Sequence, residues 1–338
     1  MLLQSVRDLK IELARDVFAK LREDILERAL KPKLGTFLRP SPMKRLALGI
    51  GRGRAPGEFW LAVRLQKNPL EASPQIVKNM VQKLTERAEN EIDIRFIGRP
   101  RAQDDAAPAS TELKKKARPL IIGCSVGHVA MTAGTLGLLA RHRKTGHPVM
   151  LSNSHVLALG GKAKSGEPIT QPGRRDGGGP NTLVGALLDS TPLKTDSHNQ
   201  VDAAIAMIDD TIEFKANDVP GLGAFTIGAE DAIQPGVKVV KLGRTTGLRH
   251  GEIQAIELDD VGVDYDIGTL YFDNQIEIQG EPGLPFSADG DSGSLVLDEQ
   301  MRAIAIVFAG EPRMNGGRGV SFANRLPTVM TMLDIIPL

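Results

Sequence analysis

The stretch Phe286-Ser287-Ala288-Asp289-Gly290-Asp291-Ser292-Gly293-Ser294-Leu295-Val296 decides how the rest of the chain is read. At its centre Ser292 stands among small residues. A serine hydroxyl is a poor nucleophile until a base takes its proton and backbone N–H groups hold the oxyanion that forms. Small neighbours let the backbone turn tightly and aim two N–H groups, those of Gly290 and Ser292, into one hollow. Gly and Asp also make ordinary turns. The stretch gains meaning only if a base and its orienting carboxylate lie elsewhere.

Both have candidates upstream. His155 sits in Pro148-Val149-Met150-Leu151-Ser152-Asn153-Ser154-His155-Val156-Leu157-Ala158, where an apolar strand runs into a short polar step. Asp202 opens an apolar run in Asn199-Gln200-Val201-Asp202-Ala203-Ala204-Ile205-Ala206. The order is His, Asp, Ser, with gaps of 47 (202 − 155) and 90 (292 − 202) residues. That order belongs to the double-barrel solution of acyl transfer, not to the subtilisin or α/β-hydrolase solutions. Each residue alone has a plain alternative: a core histidine, a strand-end cap, a turn serine.

With the three motifs in order, residues 119–338 resemble the chymotrypsin-like serine peptidases. The resemblance implies an all-β double barrel of two six-stranded antiparallel barrels, with a small N-terminal α/β domain in front. It implies a triad of His155, Asp202 and Ser292, and an oxyanion hole of Gly290 and Ser292. Ser154 keeps the family's small residue before the His; Asn153 is bulkier. Phe286, six before the nucleophile, falls at the base of the primary pocket, which argues against cleavage after Lys or Arg. Val307-Phe308-Ala309-Gly310 would pair with substrate backbone, with Gly310 leaving the pocket mouth open. Phe286 as plain core is the alternative. Val239 to Gly247 and Gly251-Glu252-Ile253 look like the opening hairpin of barrel two in disulfide-free members. The front extension resembles that of bacterial relatives of the plant narrow-leaf trypsin-like proteins.

Asp291 raises a question of activation. In zymogen-activated relatives the matching Asp pairs with a freed N-terminus, and Leu120-Ile121-Ile122-Gly123 faintly resembles such a sequence. Arg118-Pro119 is a poor tryptic site, which favours an ordinary first strand.

Composition sets bounds. The chain has 338 residues, 41% hydrophobic and 25% charged, the profile of a globular protein. Cys124 is the sole cysteine, so no intramolecular disulfide forms. This favours a reducing compartment, with a cytoplasmic location expected. Met1 to Asp8 meets charge too early for a signal peptide, and no apolar run approaches the roughly 20 residues of a membrane span. Residues 1–118 hold 25 of the 42 Lys/Arg and 15 of the 41 Asp/Glu, leaving 17 against 26 for the rest. A basic front part suits nucleic acid or an acidic partner; mutual attraction of the two parts is the preferred explanation. One Trp and two Tyr are few for a base-stacking platform.

Along the chain, residues 5–30 read as an amphipathic helix striped by Val6, Leu9, Leu13, Val17, Leu21 and Ile25. A hairpin follows at 44–51 and 59–65, then a helix from Pro74 to Glu89 and a strand at 91–97. Residues 1–100 are thus expected as an α/β domain that drives homo-oligomer assembly or regulation, and 101–118 as a linker. Gly49, Gly51 and Gly53 lack the Lys-Ser/Thr of a phosphate loop. Barrels are expected at about 119–215 and 222–323, with a C-terminal helix at 324–335. Asp259, Asp260, Asp264 and Asp266 cluster on a hairpin tip without a full calcium-loop pattern. His198 lies near enough to Asp202 to compete with His155. The function so read is a serine endopeptidase acting on protein or peptide substrates, without cofactor or metal. A catalytically silent barrel pair and a nucleic-acid module are the alternatives.

Overall fold

Leu46, Leu48 and Ile50 alternate with Ala47, Gly49 and Gly51, so the large and small residues face opposite sides of one strand. The computed structural model describes residues 1–15, 46–66, 74–102, 112–130, 133–311 and 319–338. The expected helix beyond residue 15, the start of the first hairpin and linker residues 103–111 lie outside the described residues. In the front section, helix α1 spans residues 3–15. Strands β1 (Leu46–Arg52) and β2 (Phe59–Leu65) form an antiparallel hairpin. Helix α2 (Pro74–Arg87) crosses over to β3 (Ile92–Phe96), which lies parallel to β2, as a parallel pair requires.

Barrel one holds β4 (Ser125–His128), β5 (Gly134–Thr135), β6 (Leu138–His142), β7 (Pro148–Ser152), β8 (Pro168–Thr170), β9 (Leu183–Ser190) and β10 (Ala204–Ile208). A one-turn helix, α3 (Ser154–Leu157), follows β7. Three two-residue strands lead onward: β11 (Asp218–Val219), β12 (Gly223–Ala224) and β13 (Thr226–Ile227). Then come β14 (Lys238–Gly243), β15 (Gly247–Asp259), β16 (Val261–Tyr265), β17 (Gly268–Phe272), β18 (Gln275–Gly280), β19 (Leu295–Asp298), β20 (Arg302–Glu311) and β21 (Val320–Arg325). Six of these run β14-β19-β20-β21-β18-β15, and β14 also pairs β15, so barrel two closes. Barrel one is the curled sheet β6-β7-β10-β9-β8-β4, with β5 beyond β4.

Strands β16 and β17 form a separate hairpin. Three expectations change. The C-terminal helix α4 covers only Leu326–Met332, and β22 (Ile335–Pro337) then pairs with β6. Of the linker, Arg101 and Ala102 are fixed by strand-like hydrogen bonds, and Leu113 is buried in barrel one.

Most consequential, residues 1–100 do not stand apart from barrel two. Strand β1 pairs antiparallel with the far half of β15, extending the barrel's own sheet to β3. Val6, Leu13, Leu48, Ile50, Leu61 and Val63 share one core with Ile253, Ile276, Ile278 and Val296. The described part of the helical stripe is therefore buried within the chain itself. The charge asymmetry is resolved in part the same way: Arg7 binds Glu257 (2.6 Å), Lys10 binds Asp259 (2.7 Å), and buried Arg64 binds Asp93 (2.9 Å) and Glu277.

Each fully buried Leu, Ile or Val contributes about 1.5–3 kcal/mol, so this shared core is comparable with a domain's whole net stability. Removing residues 1–100 is expected to leave the edge of β15 unpaired and its apolar face bare, and the truncated chain to aggregate. Light scattering and circular dichroism check this; a soluble, cooperatively folded truncate would refute the shared core.

Candidate active site

Ala204 faces Ser152 across the β7–β10 ladder. Residues just beyond β7 and just before β10 therefore meet at one end of barrel one, and these are His155 and Asp202. His155 Nδ1 lies 2.5 Å from Asp202 Oδ2, and the His155 backbone N–H donates to Oδ1 at 3.2 Å. Asp202 is fully buried and His155 nearly so. A buried carboxylate must be satisfied on all sides. Tyr265 Oη donates to the same Oδ2 at 2.7 Å, and burial, with the carboxylate beside it, pushes the phenol well above its ordinary pKa. The loop itself is clamped: Asn324 Oδ1 accepts from Asp202 N (3.0 Å), and Asn153 Nδ2 donates to Asp202 O (2.7 Å). Asn153, the departure from the small-residue pattern, thus ties the His loop to the Asp loop.

Ser292 approaches from barrel two. Its carbonyl accepts from Thr135 N at 2.8 Å. A Cβ built on Gly134 would lie 2.5 Å from Val156 and 3.0 Å from Ser292 O, so the His155 turn and the nucleophile loop both press on that glycine. Gly290 and Gly293 have φ of +90° and +96°, a region open chiefly to glycine. A side chain at Gly293 would strike Thr135 O (2.2 Å) and Ser152 Oγ (2.3 Å). The N–H groups of Asp291, Gly293 and Ser294 are committed to Ala288, Val307 and Asp291. Those of Gly290 and Ser292, and Ser292 Oγ, make no hydrogen bond among the described residues.

Asp291 holds this loop from behind. Its carboxylate lies 2.8 Å from Lys241 Nζ, both side chains fully buried. It also accepts from Thr245 N, Thr246 N, Thr246 Oγ1 and Ala288 N at 2.6–3.1 Å. Burial alone would raise the Asp291 carboxyl; the ammonium and these donors outweigh it and hold it below the usual range. Burial pulls the Lys241 ammonium down from the ordinary lysine value, with Asp291 pulling back. The amine paired with Asp291 is thus a lysine of the chain's own barrel two. Leu120 is fully buried, and its N–H donates to Glu213 O; it forms an isolated bridge to Phe214 ahead of β4, not a strand.

The remaining candidates separate. Phe286 is fully buried in the core of barrel two and packs against Gly251. Phe308 and Ala309 are buried in a second apolar cluster, Phe308 against Phe272 at 4.8 Å. Gly310 is not open: its N–H and C=O both pair with Arg101, each at 3.1 Å. His198 binds Asp273 (2.8 Å) and Asp260 (3.4 Å), not Asp202. His128 binds Glu167 (2.9 Å). The acidic cluster disperses, Asp259 to Lys10 and Asp264 to Thr269. Burial pushes the Cys124 thiol up to about 12, too high for a nucleophile near neutral pH.

The chain thus combines a closed barrel, a curled barrel beside it, and a His–Asp end next to a tight serine turn. The fold is that of the chymotrypsin-like serine peptidases. No protein-family model matches the chain, and neither does any curated protein. Among solved structures it is similar to Thermobifida fusca protease A, at 18% identity over 66% of this chain and 99% of that one, with a TM-score of 0.46. Nocardiopsis protease gives 18%, 65%, 99% and 0.46, and Cellulomonas bogoriensis chymotrypsin 17%, 64%, 97% and 0.44. These likenesses add nothing to the chemistry, which rests on this chain's own residues. Among the described residues no helix is long and apolar enough to cross a membrane.

Breaking a buried ion pair by removing one partner costs about 3–5 kcal/mol. Lys241→Met is therefore expected to lower the melting temperature and slow the reaction of Ser292 with a fluorophosphonate. Asp291 titrates below its unfolded value of about 3.9. Its contribution is complete above that value and lost as pH falls through the lower folded value. Thermal melts from pH 7 to pH 2 check this; a Lys241→Met protein that melts and reacts like the parent would refute it.

Proposed function

We propose that this protein is a serine endopeptidase that hydrolyses peptide bonds through an acyl-enzyme. The observation that carries the reading is the single buried carboxylate of Asp202, bonded to both the ring and the backbone of His155. Such a carboxylate fixes one imidazole tautomer and stabilises the imidazolium. Ser292 Oγ attacks the scissile carbonyl carbon while His155 Nε2 takes its proton. The Gly290 and Ser292 N–H groups hold the oxyanion. His155 returns the proton to the leaving amine; water then repeats the sequence and frees the acid.

Labelling with a fluorophosphonate and mapping of the modified peptide test the reading. The parent is expected to label at Ser292, and Ser292→Ala to abolish both labelling and cleavage. Asp202→Asn is expected to cost on the order of 10⁴ in turnover near neutral pH. Labelling that survives in Ser292→Ala ends the assignment.

One observation favours a second reading, a barrel pair with little or no turnover. Gly310, where substrate backbone would pair, is already paired with Arg101. A fluorophosphonate needs no such edge, whereas an extended peptide does. Arg101→Pro removes the N–H donated to Gly310. The peptidase reading expects this variant to lower KM for long peptides several-fold. Equal and negligible cleavage by both proteins, with labelling retained, would favour the silent barrel.

A further inference from the structure

Tyr265 belongs to the β16–β17 hairpin, which lies off the barrel-two ladder and ends in the acidic tip. Its phenol nevertheless reaches the buried carboxylate of the other barrel. Asp202 Oδ2 is shared between Tyr265 Oη (2.7 Å) and His155 Nδ1 (2.5 Å). The Tyr265 ring also stands edge-on to the His155 ring, centroids 6.0 Å apart and planes at 76°. Phe272 stacks with Tyr265 at 6.0 Å and leads to Phe308.

A hairpin on the outside of a barrel does not hold a phenol to within a hydrogen bond unaided. Here the front section braces it. Gln66 closes both backbone bonds of Gly262, accepting from its N–H (3.0 Å) and donating to its C=O (2.9 Å). Asp264 N donates to Pro100 O, and Ala102 N donates to Asp264 O, at 3.0 and 3.2 Å. Strand residues 100–102 are pinned in turn to Gly310. The brace thus reaches the residue next to Tyr265.

We infer that Tyr265 is a positioning residue of the triad, held by Gln66 and residues 100–102, whose hydroxyl orients Asp202 and tempers its pull on His155. This rests on the peptidase reading for its consequence in turnover, but not for its effect on the imidazole. A hydrogen bond donated to a carboxylate disperses its charge and weakens its hold on a neighbouring cation. Tyr265→Phe keeps the ring on His155 and Phe272 and removes only the donor. The His155 titration midpoint should then rise, by about one unit for the loss of one charge-assisted bond.

Other charged groups near this point are committed elsewhere. On the Asp loop side His198 pairs with Asp260 and Asp273; on the hairpin Asp264 accepts from Thr269. Behind the nucleophile Asp291 pairs with Lys241, on β4 His128 pairs with Glu167, and Arg244 pairs with Asp176. From β21 the contact is the neutral Asn324.

The test uses the full chain as parent, Tyr265→Phe and Gln66→Ala. The His155 ring is titrated by nuclear magnetic resonance, with His155→Gln to assign its signal. Peptide hydrolysis gives kcat and KM. Tyr265→Phe is expected to raise the His155 midpoint by about one unit. It should also lower kcat about tenfold at unchanged KM, since a positioning group acts on the chemical step. Gln66→Ala should shift both in the same directions by less. An unmoved midpoint in Tyr265→Phe overturns the inference, whatever the activity. A midpoint raised in Tyr265→Phe, with a parent that does not label at Ser292, supports it while the peptidase reading fails.

Discussion

The buried pair of Lys241 and Asp291 is what the active-site geometry hangs on. Hydrogen-bond donors aimed at a developing charge help only if they are already in place. The Gly290 and Ser292 N–H groups flank Asp291 in sequence, so whatever fixes that carboxylate fixes them. It is fixed by donors from the end of β14 and the turn beyond, Lys241, Thr245 and Thr246, and by Ala288 of its own loop. Two isolated buried charges would each be costly, and together they are tolerable only with every other lone pair and proton satisfied. The donor set around Asp291 meets that demand.

The same end of β14 ties the barrels together. Arg244 N donates to Thr135 Oγ1, which donates on to Gly290 O, at 3.1 and 2.9 Å. The Arg244 guanidinium grips Asp176 of barrel one through two bonds of 2.7 Å. A forked guanidinium on a carboxylate fixes orientation as well as distance. A side chain at Gly290 would land 2.0 Å from that guanidinium. The glycine in the nucleophile loop is therefore required twice, once for its backbone angle and once for the Arg244 seam.

How much of this was legible in the sequence follows from the range of each contact. The double barrel and the His–Asp–Ser order are carried by short motifs, because a tight turn, a strand end and a nucleophile each need local residue types. Lys241 was visible as a cation inside the apolar run Val239-Val240-Lys241-Leu242, a sign that a buried carboxylate had to exist, though not which one. Tyr265 gave no sign: one of three aromatics in an acidic hairpin, it reaches Asp202 across 63 residues only because two barrels are docked. Phe286 was placed by its offset from Ser292, and offset does not say which face of a strand meets the core. The front section read correctly as α-β-β-α-β, yet its edge preference did not, since nothing local says that β1 would choose β15 as a neighbour.

That choice of neighbour links the front section to the chemistry. A strand added to an edge hides a row of unpaired N–H and C=O groups, and β1 does this for the far half of β15. The strand β15 then continues into the β16–β17 hairpin, whose backbone is held by Gln66 and residues 100–102. Arg64, level with Ala47 of β1, crosses to Glu277 on β18. A guanidinium so placed is buried and needs the carboxylates of Glu277 and Asp93 to remain so. Strand, hairpin and phenol thus form one continuous support that ends on Asp202. In such an arrangement the front section bears on the candidate site through packing alone.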